Sequence, residues 1–341
     1  MLTLADSEIR DLATGTLKEL GRLKFNQIAT TYQRYEVMGR IMRKDKVEFE
    51  DGTGIQRSFM IDQSGAARMV GMFASYTRNV GDVLRTTEIP WRHTNTYYMW
   101  ERREMLMNNG KSRIVPLMRL RRADAMISLA KLMEDEFWSK PTDSTDKLHV
   151  FGVPYWVVKN ATLGFNGGAP TGFAAGAGGL LHARWQNYTG QYVSVSKPDL
   201  IKKMRKAHRL CDFQSPTDIP DYRNGAGDQY RIYMNEVTLS LYEDLAETQN
   251  QNLGRDLAPM DDTTSFRRNP VRYVPKLDED TANPVYMLNF ADFHPVFLKG
   301  DYLREAEPRN GIDAPNNWFV DIDMTWNVLC TNRRTQAVFY Q

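Results

Sequence analysis

The sequence predicts an α+β fold on three observations. An uninterrupted helical pattern fills residues 112–139, extended runs precede it near 47–59 and 80–105, and a helix–strand–helix block followed by β-like runs occupies the remainder. In the central helix Met118, Ala125, Met126, Leu129, Leu132, Met133 and Phe137 recur three and four residues apart, so one stripe must be packed. Ser112 is placed to cap it, Pro116 is tolerated in the first turn, and Ser139-Lys140-Pro141 ends it. At about 1.5 Å per residue such a helix spans ~40 Å, enough to serve as a spine for other layers.

The charges on this spine oppose the helix dipole. Arg113, Arg119, Arg121 and Arg122 crowd its N-terminal half and Glu134, Asp135 and Glu136 its last turns, although the dipole favours the reverse by about 0.3–1 kcal/mol per well-placed charge. These arginines therefore either pair with nearby carboxylates or face a polyanion or a neighbouring subunit.

Composition narrows the function. The chain has 341 residues, a quarter of them charged, with 42% hydrophobic residues and a net charge of +2. That is length for two or three cores, and too balanced a charge for a dedicated nucleic-acid binder. The N-terminus, MLTLADSEIRDL, carries acids and no long apolar run, which argues against a signal peptide or membrane anchor. Cys211 and Cys330 stand alone, as unbridged thiols of a reducing cytoplasm do.

Taken in order, residues 3–20 read as a short amphipathic helix, and the Tyr- and Arg-rich stretch up to residue 46 as an arm laid on something else. Alternation on both sides of Asp51-Gly52-Thr53-Gly54 reads as a hairpin or a bulged turn. The run 80–105 supplies a second extended arm, and residues 62–79 between them are small and Gly-containing. A two-stranded ribbon is marginal in water unless something covers it. Phe49, Ile55, Phe59, Trp91, Tyr97, Tyr98 and Trp100 are therefore candidate anchors of a subunit interface, the alternative for each being to pack against its own domain.

Beyond the spine, residues 150–160 form a β-rich run with a Gly-Val-Pro turn. Residues 164–180 form a Gly/Ala-rich loop that lacks the G-K-[ST] of a phosphate cradle. A helix over 197–213, with Ser196 at its N-cap, a strand over 229–235 and a helix over 236–252 make a compact block. The chain closes on β-like runs with a turn at Thr331-Asn332-Arg333-Arg334.

No catalytic constellation emerges. The five histidines show no HExxH, and no nucleophile elbow, Walker loop or dinucleotide fingerprint is present. His208 and Cys211 make at most half a metal site, and Asp261-Asp262 and Asp321/Asp323 fit turn and strand positions. No catalytic residue, cofactor or metal is expected.

The order of parts resembles the major capsid proteins of tailed bacteriophages, with the Hong Kong 97-like shell fold. The parts are an N-terminal arm, a long two-stranded loop, one spine helix, a GVP segment, a helix–YMN–helix–LG block and a closing β segment with an Asn-Arg-Arg turn. The resemblance implies an N-arm over 1–46, an extended loop over 47–105, a peripheral domain over 106–194, an axial domain over 195–310, and C-terminal strands over 311–341 returning to the peripheral domain. It implies a virion shell subunit, assembled in the host cytoplasm into pentamers and hexamers, with Arg113, Arg119, Arg121 and Arg122 toward packaged double-stranded DNA. Expected partners are further copies of the chain, a separate scaffolding protein, a cement protein and a portal at one vertex, with no membrane. Some such shells are cross-linked through a lysine on the extended loop. No lysine lies between Lys46 and Lys111 here, so that chemistry is not expected. Two rivals stand beside this reading: an encapsulin-like nanocompartment shell, and an enzyme with a buried polar pocket.

Overall fold

The structure, a computed structural model, describes residues 36–41, 47–60, 67–70, 72, 84–107, 111–143, 145–169, 185–213, 229–247, 264–310 and 316–341. The chain divides into two compact units: the described residues of Met1–Thr53 with Trp91–Phe137 and Pro295–Asn327, and Gly54–Pro90 with Trp138–His294 and Val328–Gln341. The expected helix over 3–20 lies outside the described residues, as does most of the Gly/Ala-rich loop.

The first unit is built on one long strand, β13 (Asn317–Cys330), whose first ten residues pair antiparallel with β4 (Arg92–Glu101). Its other partners are β10 (Phe293–Leu298) and the short β11 (Arg304–Glu305) and β12 (Arg309–Asn310), and β1 (Glu48–Glu50) adds to β10 in parallel. The strand period of two puts Tyr98, Trp100, Trp318, Val320, Ile322, Met324 and Trp326 on one face, and all are buried. Against β4 lies the spine, α3 (Lys111–Phe137), preceded by α1 (Glu36–Ile41) and α2 (Arg102–Met107). Met118, Ala125, Met126, Leu129, Met133 and Phe137 are buried, as their spacing predicts, whereas Leu132 is 42% exposed. Phe137 meets Trp326 edge-on at 5.4 Å, and Trp326 donates from Nε1 to Thr94 Oγ1 at 3.0 Å.

The second unit holds a six-stranded mixed sheet in the order β5-β14-β9-β6-β8-β7. Its strands are β5 (Tyr188–Gln191), β6 (Tyr230–Met234), β7 (Ser265–Phe266), β8 (Asn269–Tyr273), β9 (Val285–Asn289) and β14 (Ala337–Tyr340). On one face Ile232, Met234, Val271, Met287 and Phe339 pack with Leu200, Met204, Ala207 and Cys211 of the segment containing α5 (Lys202–Leu210), and with Tyr242 of α6 (Glu236–Glu247). Trp138 covers Tyr233 and Tyr286, which point the other way. Asn235 caps α6, its Oδ1 accepting from Thr238 N at 3.1 Å, which is why the strand can pass straight into a helix. Also in this unit is a two-stranded hairpin, β2 (Gly54–Met60) with β3 (Leu84–Pro90).

Four expectations are corrected. Asp51-Gly52-Thr53-Gly54 is not a hairpin turn, because β1 pairs with β10 and β2 with β3. The second arm breaks at Pro90: β4 belongs to the β13 sheet, where its large alternate residues find an apolar face. The GVP segment is one helical turn, α4 (Val153–Trp156), since Pro154 has no amide to offer a ladder and its fixed φ suits a first helical turn. The helix expected over 197–213 opens instead on a π-type turn, Lys197–Ile201, ahead of α5, and Ser196 makes no side-chain cap. The closing run divides, β13 joining the first sheet and β14 pairing with β5 and β9.

The Asn-Arg-Arg turn carries a buried cation. Arg333 is fully buried and donates to Trp156 O at 2.6 Å and to Gly168 O and Asn187 Oδ1 at 3.0 Å, with its guanidinium 5.3 Å from the Trp185 ring centre. Burial lowers its pKa to about 10. Asn187 also closes on Gly167, where an added Cβ would stand 1.8 Å from Asn187 Oδ1, so only glycine fits there.

Candidate assembly surfaces

The seven expected interface residues part company in the structure, and Tyr98, 4% exposed, lies in the sheet core. Trp100 is 2% exposed and belongs to the sheet core, so it is corrected from interface anchor to core residue. Ile55 is likewise fully buried, opposite the equally buried Ile89 across the hairpin. Phe49 is half exposed, resting edge-on against Tyr302 with ring centres 5.5 Å apart. Tyr97 is 59% exposed on the outer side of β4 beside Met99, which is also exposed. Trp91 is partly covered and donates from Nε1 to Gly52 O at 3.0 Å. The Phe59 side chain lies outside the described residues.

The described side chains of the hairpin are mostly polar. Gln56, Ser58, Thr86 and Glu88 are exposed, and Ser58 and Thr86 meet across the strands at 3.1 Å through their hydroxyls. In the connection between β2 and β3, Met69, Val70 and Met72 are all exposed, Met69 and Met72 almost completely. Sequence reading passed over these three as part of a small-residue stretch, although the run Met69-Val70-Gly71-Met72 is the apolar signal within it.

The spine arginines are engaged within the chain. Arg121 donates to Met99 O at 2.8 Å and to Glu104 Oε1 at 2.6 Å. Arg122, with only 7% of its side chain exposed, pairs with Glu305, Nε to Oε1 at 2.7 Å. Arg121 and Arg122 thus take the carboxylate-paired alternative of the sequence reading within the single chain. The side chains of Arg113 and Arg119 lie outside the described residues. On the outer side of the β13 sheet, Asp321 pairs with Arg309 and Asp323 with Arg304, so these carboxylates hold strands together.

Two sites raised by the sequence take ordinary structural places. Cys211 is buried and its thiol is pushed up to about 12, chiefly by burial, which leaves it neither a nucleophile nor a thiolate ligand. Among the described residues no group of three His, Cys, Asp or Glu side chains is arranged to hold a metal. A cavity of about 420 Å³ in the first unit is lined by Tyr97, Met99, Glu101, Arg121, Asp124 and Asn317 among others, with no nucleophile–base pair in its wall.

No protein-family model matches the sequence, and no curated protein matches it. Solved structures do match it along most of its length. The capsid asymmetric unit of cyanophage A-1(L) is 14% identical with a TM-score of 0.59, covering 90% of this chain and 92% of the other. The capsid of the native GTA particle is 10% identical with a TM-score of 0.58, covering 91% of each chain. The capsid of Myoviridae phage XM1 is 12% identical with a TM-score of 0.50, covering 86% of this chain and 89% of the other. The likeness spans both units, and this chain has the Hong Kong 97-like fold of these bacteriophage capsid proteins.

Proposed function

We propose that this protein is the major capsid protein of a tailed double-stranded DNA bacteriophage, a structural and non-enzymatic subunit whose copies close into the pentamers and hexamers of an icosahedral head. The observation that carries the reading is the β2–β3 hairpin. Among the described residues it buries the Ile55–Ile89 pair, and its connection presents Met69, Val70 and Met72 to solvent, an arrangement that makes sense when a neighbouring copy covers it. The capsid folds that cover nine-tenths of the chain support it.

In this reading the hairpin and the exposed Phe49 and Tyr97 bear on neighbouring copies, each contact adding one modest interface to several. DNA contact is assigned to Arg113 and Arg119 on the sequence pattern, and is salt-sensitive and independent of base sequence. A separate scaffolding protein, a portal at one vertex and a cement protein complete the particle. Negative-stain microscopy and sedimentation of the expressed chain, alone and with the products of neighbouring genes, test the proposal. Closed shells or capsomers are expected, and a stable monomer under every condition overturns it.

A further inference from the structure

The second unit carries two helices whose uncovered faces complement each other in charge. On α5, Lys202, Arg205, Lys206 and Arg209 stand at i, i+3, i+4 and i+7, so they share one side of a nine-residue helix, and all four are exposed. Lys203, which points elsewhere, is the cation of this helix that finds a carboxylate, Asp199. Among the described residues none of the four others has an ion-pair or hydrogen-bond partner for its side chain. Lys202 with Lys206, and Arg205 with Arg209, are like-charge pairs four residues apart, which weaken a helix unless an anionic surface lies over them.

On α6 the pattern is inverted. Val237 and Leu241 are 55% and 48% exposed, an apolar pair four residues apart, and Asp244 continues the same side. Glu236 lies beside Val237, and among the described residues the carboxylates of Glu236 and Asp244 find no ion-pair or hydrogen-bond partner. Leu210, exposed at the end of α5, places an apolar side chain next to Arg209 as well.

We propose that the basic face of α5 docks on the acidic and apolar face of α6 in a second copy of this chain. The proposal rests on the shell reading above and names residues for one of its contacts. Charge complementarity argues for this occupant over nucleic acid. A polyanion would neutralise α5 but leave Val237 and Leu241 in water and would be repelled by Glu236 and Asp244, whereas a second copy covers both faces at once. Because the two faces are different patches of one surface, the contact repeats from copy to copy and closes a ring when the rotation allows.

The test is assembly of full-length charge-reversal variants. Lys206→Glu with Arg209→Glu, and separately Glu236→Lys with Asp244→Lys, leave the circular dichroism and melting temperature of the subunit near wild type. Each raises the protein concentration needed for assembly by about tenfold or more. Mixing the two variant chains restores assembly, which pairing within one chain could not do. If wild type assembles and both variants assemble at the same concentration, the α5–α6 docking is overturned while the shell reading stands. Unchanged assembly with loss of packaged or added DNA from the α5 variant overturns it in favour of a polyanion. A wild type that never assembles removes the shell reading and this contact with it.

Discussion

β3 and β4 are neighbours in sequence, separated by Trp91, and the run they form looks uniform: extended, rich in Thr and punctuated by aromatics. Their fates differ. Among the described residues β3 pairs with β2 alone, with Thr86 and Glu88 exposed and Ile89 buried. β4 pairs along its whole length with β13, and Tyr98 and Trp100 enter a core that also holds Trp318 and Trp326. The difference teaches that aromatic richness in an extended run marks what is covered, not who covers it. Trp100 has the composition of an interface hot spot and the environment of a core residue, whereas the apolar side chains left uncovered on the hairpin's connection are the two methionines and a valine.

The largest effect should come from that contrast. Trp100→Ala removes a side chain that is 2% exposed, and is expected to destabilise the subunit by about 3–5 kcal/mol. Denaturant unfolding of the unassembled chain would measure it. A variant that keeps wild-type stability and fails only in assembly would return Trp100 to the interface and dissolve the distinction between β3 and β4.

Next come the two arginines that tie α3 to the β4 and β11 side of the same sheet. Arg122→Ala strands the largely buried Glu305 carboxylate, at an expected loss of about 2–3 kcal/mol. Arg121→Ala breaks a half-exposed pair with Glu104 and a bond to Met99 O, and is expected to cost about 1 kcal/mol or less. A ratio reversed from this order would show that the more buried pair is not what holds the helix to the sheet. Ile55→Ala, on the hairpin, is expected to fall between these two at about 2 kcal/mol, at the low end of core truncations because a two-stranded ribbon can close on the gap.

What the sequence made legible follows from which physical signals are local. The spine is readable because six of its seven periodic apolar residues bury a single stripe, and the turn from β6 into α6 because Asn235 does its capping within four residues. The partner of a strand is not local. Nothing in residues 92–101 states that β13, more than two hundred residues later, supplies the other side of each pair. The same limit hid the environment of Arg333, read as a turn residue and found buried among the carbonyls of Trp156 and Gly168. For the candidate surfaces, residue type misled more than position: Trp100 and Ile55 were chosen for size, and size is what a core also selects. Phe49 and Tyr97 remain exposed because each sits on the outward phase of its strand, a distinction that alternation carries only once the inward face is known.

The smallest effect on folding, and the sharpest test of the comparison, belongs to the hairpin's connection. Met69 and Met72 are almost fully exposed and Val70 is 54% exposed, so replacing all three with Ser removes little buried area from the subunit, and stability is expected to stay within about 0.5 kcal/mol of wild type. Assembly should nonetheless fall, because apolar surface uncovered in the single chain is what a neighbouring copy would remove from water, at about 25 cal/mol per Å² buried. Light scattering of the triple variant against Trp100→Ala separates the two strands' roles: the first should unfold like wild type and assemble poorly, the second should unfold early whatever its assembly. Loss of stability in the triple variant would mean that the connection packs on its own chain, and the hairpin would then stand with β4 as a self-covered element.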